Sequence, residues 1–369
     1  MLDKQQVRTQ QSDEYIIAVG DEPLSEIQKI ASLYNSTKAF FFVDSNVLEL
    51  QSELVESITA LYDEPIVYSI PAGESSKSTQ QWMEMVTFCL SHNPDRNVPV
   101  YAIGGGVTGD LGGFVASTVM RGLPLIHIPT TLLAIVDSSI GGKTGINHPA
   151  GKNLVGTFYQ PKAVIAPLNA LLTLSDEEFL CGFGEILKYG AIADPDILTI
   201  LSTRDLSELR DNTSLLKSIV QRCIKVKTDI VIRDTKESNL RMILNYGHTF
   251  AHAIEKQLGY GKISHGQAVY IGMIAAGILS RELGATIKEE LIEQHFNSMM
   301  ISGIDIAITP EQLVSAMQTD KKRSATGLRF VVLKQYGRPY VEQVDDIELI
   351  YKVWAATLTK IKELKLQYA

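Results

Sequence analysis

The chain has 369 residues, enough for two domains of ordinary size and too long for one compact core to be the default. Its 45% hydrophobic and 21% charged residues are those of a folded globular protein, which excludes a disordered or fibrous chain. Thirty-four Lys and Arg against 42 Asp and Glu leave a net charge of −8, which argues against nucleic acid or an anionic membrane surface as partner, so any anionic ligand needs locally placed cations.

Met1 to Asp13 is polar and lacks an apolar targeting core. From Glu14 to about Leu168, β-rich runs alternate with helical patterns: Tyr15–Val19, Ala39–Val43, Pro65–Ile70, Val98–Ile103, Leu125–Ile128 and Ala163–Ala166. That alternation predicts a Rossmann-like α/β domain built on a largely parallel sheet. After Ser175 the period becomes helical, near 176–193, 214–229, 248–257, 266–283 and 345–365, so a mainly α-helical second domain is expected. Within it, Leu328–Val344 reads as a hairpin about Gln335-Tyr336-Gly337. The predicted domains are 1–172 and 173–369. The longest apolar stretch, Tyr270–Leu279, is too short to span a bilayer, and Cys89, Cys181 and Cys223 are odd in number and widely spaced. A cytoplasmic protein in a reducing compartment is the expectation.

Four groups of residues carry candidate chemistry. Gly104-Gly105-Gly106-Val107-Thr108-Gly109-Asp110 fits G-x-G-x-x-G between a strand and a helix, where bare backbone N–H groups and a helix N-terminus suit a pyrophosphate. In the usual dinucleotide fold this motif follows the first strand, whereas here it follows about the fourth. Asp44, ending a strand, suits a ribose, and Glu74 and Lys77 occupy a polar loop nearby in sequence. The stretch from Asp137 to Gly145 ends in Gly-Lys-Thr-Gly like a phosphate loop, but Asp137 stands where that loop needs its first glycine; what remains is a glycine turn presenting Lys143, followed by Lys152 and Asn153. In the helical half, His248 and His252 stand at i and i+4, with His265 and Glu185 elsewhere, a set that suits a divalent metal. Spacing alone selects His248 and His252 as the ligand pair, completed by His265 or Glu185. Lys188, Lys227, Arg241 and the run 320–323 supply cations for a phosphate or carboxylate.

Taken together, GGGVTGDLGGF at 104–114, PTTLLAIVDSSIGGKTGIN at 129–147, GKNLVGTFYQP at 151–161, GEILKYG at 184–190, LNYGHTFAHAIE at 244–255 and HG at 265–266 resemble, in order, the 3-dehydroquinate synthase family, sugar-phosphate cyclases of the shikimate pathway. The resemblance implies an NAD-binding α/β domain, a helical metal domain, a cleft between them and a homodimer. It also replaces the ligand pair chosen by spacing: the zinc (or cobalt) ligands become Glu185, His248 and His265, and His252 turns to the substrate phosphate. NAD contacts would fall on Asp44, Glu74, Lys77, Gly105, Gly106, Asp110, Thr130, Thr131, Lys143, Lys152 and Thr173. The reaction would fall to Asp137, Lys143, Lys152, Asn153, Lys188, Lys227, Arg241, Asn245, His252 and Lys322, with Arg121 reaching the partner subunit's site.

The implied enzyme is a carbon–oxygen lyase acting on 3-deoxy-D-arabino-heptulosonate 7-phosphate. Its steps are transient oxidation by NAD, β-elimination of phosphate, re-reduction, ring opening and intramolecular aldol closure. Three rivals remain on sequence grounds: a metal-dependent polyol or alcohol dehydrogenase, another sugar-phosphate cyclase, and, from a different class, a nucleotide-sensing binding protein.

Overall fold

The computed structural model describes residues 14–259, 262–304, 306–321 and 328–367. It divides into two compact units that interleave along the chain, one containing 22–128 and 142–166, the other 129–141 and everything from Pro167. The short segment 129–141 therefore belongs with the C-terminal unit, although the sequence reading has a single crossing near residue 172.

The first unit is organised by a six-stranded sheet of β1 (Ile16–Gly20), β2 (Lys38–Asp44), β3 (Glu64–Ile70), β4 (Val100–Gly104), β5 (Leu125–Pro129) and β8 (Ala163–Pro167), in the spatial order β1-β8-β5-β4-β2-β3. Pairing is parallel at β2–β3, β2–β4 and β5–β8. β2 shows why: its Ala39-Phe40-Phe41-Phe42-Val43 run is fully buried on both faces, as a strand covered on both sides by helices must be. Phe40 and Phe42 enter a core with Met85, Leu111 and Val115, while Phe41 and Val43 enter another with Ile27, Val55 and Ile126. Each such aromatic contributes roughly 1.5–3 kcal/mol by leaving water. The helices α1 (Leu24–Ala31), α2 (Ser45–Leu50), α3 (Ser52–Thr59), α4 (Thr79–Ser91) and α5 (Gly106–Thr118) supply the covering layers. Between β5 and β8 lies an antiparallel hairpin, β6 (Lys143–His148) and β7 (Gly151–Phe158), where the sequence reading has only a glycine-rich loop.

The second unit is helical. It holds α6 (Asp176–Ile192), α7 (Pro195–Leu201), α8 (Leu206–Asp211), α9 (Thr213–Arg233), α10 (His248–Leu258), α11 (His265–Glu282), α12 (Glu290–Glu293), α13 (Pro310–Lys321) and α14 (Ile347–Gln367), with the expected hairpin as β9 (Arg329–Leu333) and β10 (Pro339–Gln343). α11 is buried continuously from Ala268 to Ser280, and α6 from Phe179 to Ile192, so both are core helices, apolar nearly all round. α10 crosses α11 closely. Gly247, at φ +81°, leads into α10, and a Cβ on Gly272 would stand 2.1 Å from the Gly247 carbonyl oxygen. Among the described residues no helix is long and apolar enough to cross a membrane.

Candidate active site

The strand order places β2 beside β4, with the chain departing to β3 on one side and to β5 on the other. At such a switch point the flanking connections part, opening a crevice at the strand ends where doubly wound sheets take their ligands. Asp44 ends β2 and Gly104 ends β4, which explains a glycine motif placed after the fourth strand. A Cβ on Gly104 would stand 2.7 Å from the Thr108 hydroxyl and 3.0 Å from Asp44 Cβ. Gly105 is the N-cap of α5 and supplies no side-chain acceptor, so the N–H groups of the first turn, beginning at Gly106, keep their capacity for an anion; Ser78 caps α4 instead. These features fit a dinucleotide pyrophosphate. Burial pushes the Asp44 carboxyl up, against hydrogen bonds from Asn46 and Val47.

Beside α5, the buried Lys77 ammonium donates to Asp110 Oδ2 at 2.7 Å and to Asn153 Oδ1 at 2.5 Å, with Glu74 at 3.9 Å. Asn147 closes the cluster: its Nδ2 donates to Glu74 Oε1 at 2.7 Å, its N–H to the Lys77 carbonyl at 2.8 Å, and its Oδ1 accepts from Asn153 N–H at 3.0 Å. Glu74, Lys77, Asp110 and Asn153, scattered over 80 positions, are thus one network. Asn153 holds φ +55° within it. Lys143 and Lys152 lie on the hairpin, both exposed.

In the second unit, Asp137 sits on a π-helical turn, Ala134–Ser138. Its Oδ1 accepts from the Lys227 ammonium at 2.5 Å and from the Tyr189 hydroxyl, and Lys188 stands 4.0 Å away. Burial alone would raise this carboxyl, but Lys227 and Lys188 hold it far below the usual range, so Asp137 is ionised. The fully buried Tyr189 phenol is raised well above its usual value by burial and by Asp137, so it stays a donor. Arg241 is also buried, its Nη1 donating to the carbonyls of Gly141 at 3.1 Å and Thr235 at 2.9 Å. Asp234 builds the loop before it, accepting from the N–H groups of Ser238, Asn239 and Arg241. Asn245 ends the following 3-10 turn and donates to Glu237 at 3.3 Å. Thr130 is buried just past β5, Thr131 Oγ1 accepts from Ala134 N–H, and the Thr173 hydroxyl donates to the Ala170 carbonyl.

Glu185 and Lys188 are charged residues one turn apart inside the buried length of α6, which demands partners. They form an ion pair with each other. Across from them, His248 opens α10 and His265 opens α11, and one ligand atom from each of Glu185, His248 and His265 lies within 4.8 Å of the others. Three observations test this triad against a divalent cation. Glu185 is buried; its Oε2 is paired with the Lys188 ammonium, while its Oε1 has no hydrogen-bond partner and faces the imidazole Nε2 atoms at 3.4 Å and 3.7 Å. The far nitrogens are tied: Nδ1 of His248 donates to the Tyr246 carbonyl at 3.2 Å and Nδ1 of His265 to Glu255 Oε1 at 3.3 Å, leaving Nε2 of each ring as the nitrogen that faces Glu185. Finally, although burial opposes it, Lys188 and the imidazoles hold the Glu185 carboxyl well below its usual value. The donor set N, N, O fits zinc or a similar ion.

The structure therefore gathers Glu185, Lys188, Asp137 and Lys227 with His248 and His265. His252, favoured by i, i+4 spacing, is exposed and not part of the triad, its ring 5.9 Å from that of His248. Lys322 lies outside the described residues. Arg121 is exposed on a turn of the first unit in which Met120, Arg121 and Gly122 hold φ of +52°, +66° and +124° in succession. Asn147 and Tyr189 were not anticipated. Asn147 carried no charge to draw attention, and Tyr189 reads as core; its signal is its place four positions after Glu185 on the same face of α6.

The architecture is that of the NAD-dependent sugar-phosphate cyclases. A 2-epi-5-epi-valiolone synthase from Streptomyces hygroscopicus, solved with NAD+ and Zn2+ bound, superposes with a TM-score of 0.85 at 23% identity over 97% of this chain and 99% of its own. A 2-deoxy-scyllo-inosose synthase complexed with carbaglucose-6-phosphate, NAD+ and Co2+ gives 0.77 at 25% identity over 92% and 96%. The family descriptions "3-dehydroquinate synthase N-terminal" and "3-dehydroquinate synthase C-terminal" match residues 67–181 and 182–323. A 3-dehydroquinate synthase of Rippkaea orientalis is 39% identical over 344 residues, 92% of each chain. The chain belongs to the 3-dehydroquinate synthase family.

Proposed function

We propose that the chain performs its family's reaction, converting 3-deoxy-D-arabino-heptulosonate 7-phosphate to 3-dehydroquinate and phosphate, with NAD and a zinc or cobalt ion. The observation that carries the proposal is the triad of buried Glu185 with half-buried His248 and His265, in which Glu185 Oε1 has no hydrogen-bond partner, beside an Asp137 kept ionised by Lys227 and Lys188. When bound, NAD takes up and returns an electron pair at one carbinol carbon while the divalent ion acidifies the hydroxyl there. The chain's own groups do the rest. Asp137, acceptor only, orients a substrate hydroxyl and holds its proton. Lys188, Lys227, Arg241, Asn245 and His252 are the proposed holders of carboxylate and phosphate charge, with Lys143, Lys152, Asn153 and Lys322. Asp44, Glu74, Lys77, Gly105, Gly106, Asp110, Lys143, Lys152, Thr130, Thr131 and Thr173 are the proposed cofactor contacts. Oxidation at the carbinol carbon acidifies the neighbouring C–H, phosphate leaves by β-elimination with one of its own oxygens taking that proton, and re-reduction precedes ring opening and aldol closure.

Incubation with the heptulosonate phosphate, substoichiometric NAD+ and zinc tests this. Phosphate release and 3-dehydroquinate without accumulating NADH are expected. Stoichiometric NADH without phosphate would move the chain to the polyol dehydrogenases.

We also propose a cytoplasmic homodimer. β7 is exposed from Lys152 to Phe158, presenting Leu154, Val155 and Phe158, an apolar strand edge that a monomer leaves open to aggregation. All three cysteines are buried and unpaired, consistent with a reducing compartment. The strained turn at Arg121 is the proposed arm toward the partner, since left-handed non-glycine residues persist where function holds them. Sedimentation of Leu154→Lys should show a monomer.

A further inference from the structure

We infer that Glu255 is a positioning residue for the metal ligand His265, one that fixes its ring and tautomer and tightens the ion's hold. The inference rests on the metal reading of the triad above. Glu255 lies outside that triad, yet its Oε1 stands 3.3 Å from Nδ1 of His265. Its carboxylate is nearly buried, at 12% exposure, in a position that an unpaired charge would not tolerate. A carboxylate only accepts, so Nδ1 carries a proton and Nε2, 3.7 Å from Glu185 Oε1, is the nitrogen left for an ion.

The placement follows from α10. His248 and Glu255 are seven residues apart on that helix, two turns, hence on one face and about 10 Å apart along the axis. One helix thereby supplies a ligand of its own and the acceptor that aligns the ligand opening α11. The two histidines are held unequally: His248 has a neutral carbonyl, that of Tyr246, while His265 has an anion. His265 is also the more open of the two, its side chain 34% exposed against 14% for His248, so packing constrains its ring less. The stronger acceptor sits behind the looser ligand. A carboxylate there makes the imidazole more basic and a better donor to the ion, and removing such a partner typically weakens metal binding about 10–100-fold.

The test is the zinc dissociation constant of full-length wild-type, E255Q and E255A proteins by competition with a chromophoric chelator, with visible spectra of the cobalt-loaded proteins and thermal melts of the metal-free ones. E255Q keeps the shape and an acceptor oxygen but loses the charge. It should bind zinc about 10-fold more weakly and E255A up to about 100-fold, with shifted cobalt bands and an unchanged metal-free melt for E255Q. E255Q and E255A within twofold of wild type with superimposable cobalt spectra would overturn the inference, as would a lowered metal-free melt with unchanged zinc affinity, which would assign Glu255 to helix packing. A wild-type chain that binds neither ion would overturn the metal reading and this inference with it.

Discussion

In the first unit the buried Lys77 ammonium meets Asp110 and Asn153 at 2.7 and 2.5 Å, whereas in the second the buried Glu185 carboxylate is paired with Lys188 through Oε2 only and leaves Oε1 without a hydrogen-bond partner. The first network is complete as folded. Its side chains pair with one another before any ligand arrives, and the backbone N–H donors at the start of α5 stand beside them. The second is incomplete: α6 carries a carboxylate into the core, and two imidazoles turn their Nε2 atoms toward it. A site that waits for a neutral-to-anionic cofactor can be closed in advance, while one that waits for a dication must leave ligand atoms without partners.

The largest expected effect breaks the incomplete cluster. His248→Ala removes a donor that the first unit could not replace, and loss of Lewis-acid assistance worth several kcal/mol should lower kcat by roughly 10³-fold. Steady-state phosphate release and metal content after dialysis check it. Full activity with stoichiometric zinc would show that the triad does not hold the working ion.

Next come the two buried lysines compared directly. Lys227→Met strands the Asp137 charge, with Lys188 left at 4.0 Å, and should cost about 3–5 kcal/mol of stability. Lys77→Met strands Asp110, whose carboxyl burial already holds above its usual value while that of Asp137 is held below, so Asp110 can take up a proton instead of staying charged and the loss should be smaller, about 1.5–3 kcal/mol. Urea midpoints of both variants check the order. The reverse order would show that the first network, not the second, carries the greater strain when opened.

How far these clusters were legible in sequence depended on what held them together. β2 was readable because five successive apolar residues admit little besides a covered strand, and α11 because its apolar run has helical length. The β6–β7 hairpin was not, since Gly141, Gly142, Gly145 and Gly151 mask its alternation and suggest a loop. The triad was readable as a set of residue types but not as a set of ligands: helical spacing relates His248 to His252 on one helix, while the ion needs groups from three helices, α6, α10 and α11, whose meeting depends on the Gly247–Gly272 crossing. The placement of 129–141 with the helical unit was not readable either, because the segment is short and runs directly on from β5 with no linker to mark a crossing.

A pH titration sharpens the same contrast in the first unit. His127, on β5, is buried, and burial lowers its pKa to about 4 from 6.5. Unfolding restores the higher value, so between these limits the unfolded chain binds more protons and stability falls as pH falls. The contribution is fully present above about pH 6.5 and lost progressively toward pH 4, roughly 3 kcal/mol in all. His127→Leu should flatten that acid slope in denaturant midpoints measured from pH 7 to 4. An unchanged slope would place the acid sensitivity in the carboxylates.

The smallest effect separates the start of α11 from the ligand it carries. Ser264 and Gln267 form a reciprocal capping box around His265, the Ser264 side chain accepting from Gln267 N–H while the Gln267 side chain accepts from Ser264 N–H. Ser264→Ala removes one acceptor and should cost about 1 kcal/mol. The His265 ring is held from α10 through Glu255, so zinc affinity should fall less in this variant than in E255Q even though Ser264 is adjacent to the ligand in sequence. A loss of zinc binding equal to that of E255Q would mean that the helix start, and not the carboxylate across from it, sets the imidazole. The pair of variants thus distinguishes a ligand fixed through its backbone from one fixed through its ring.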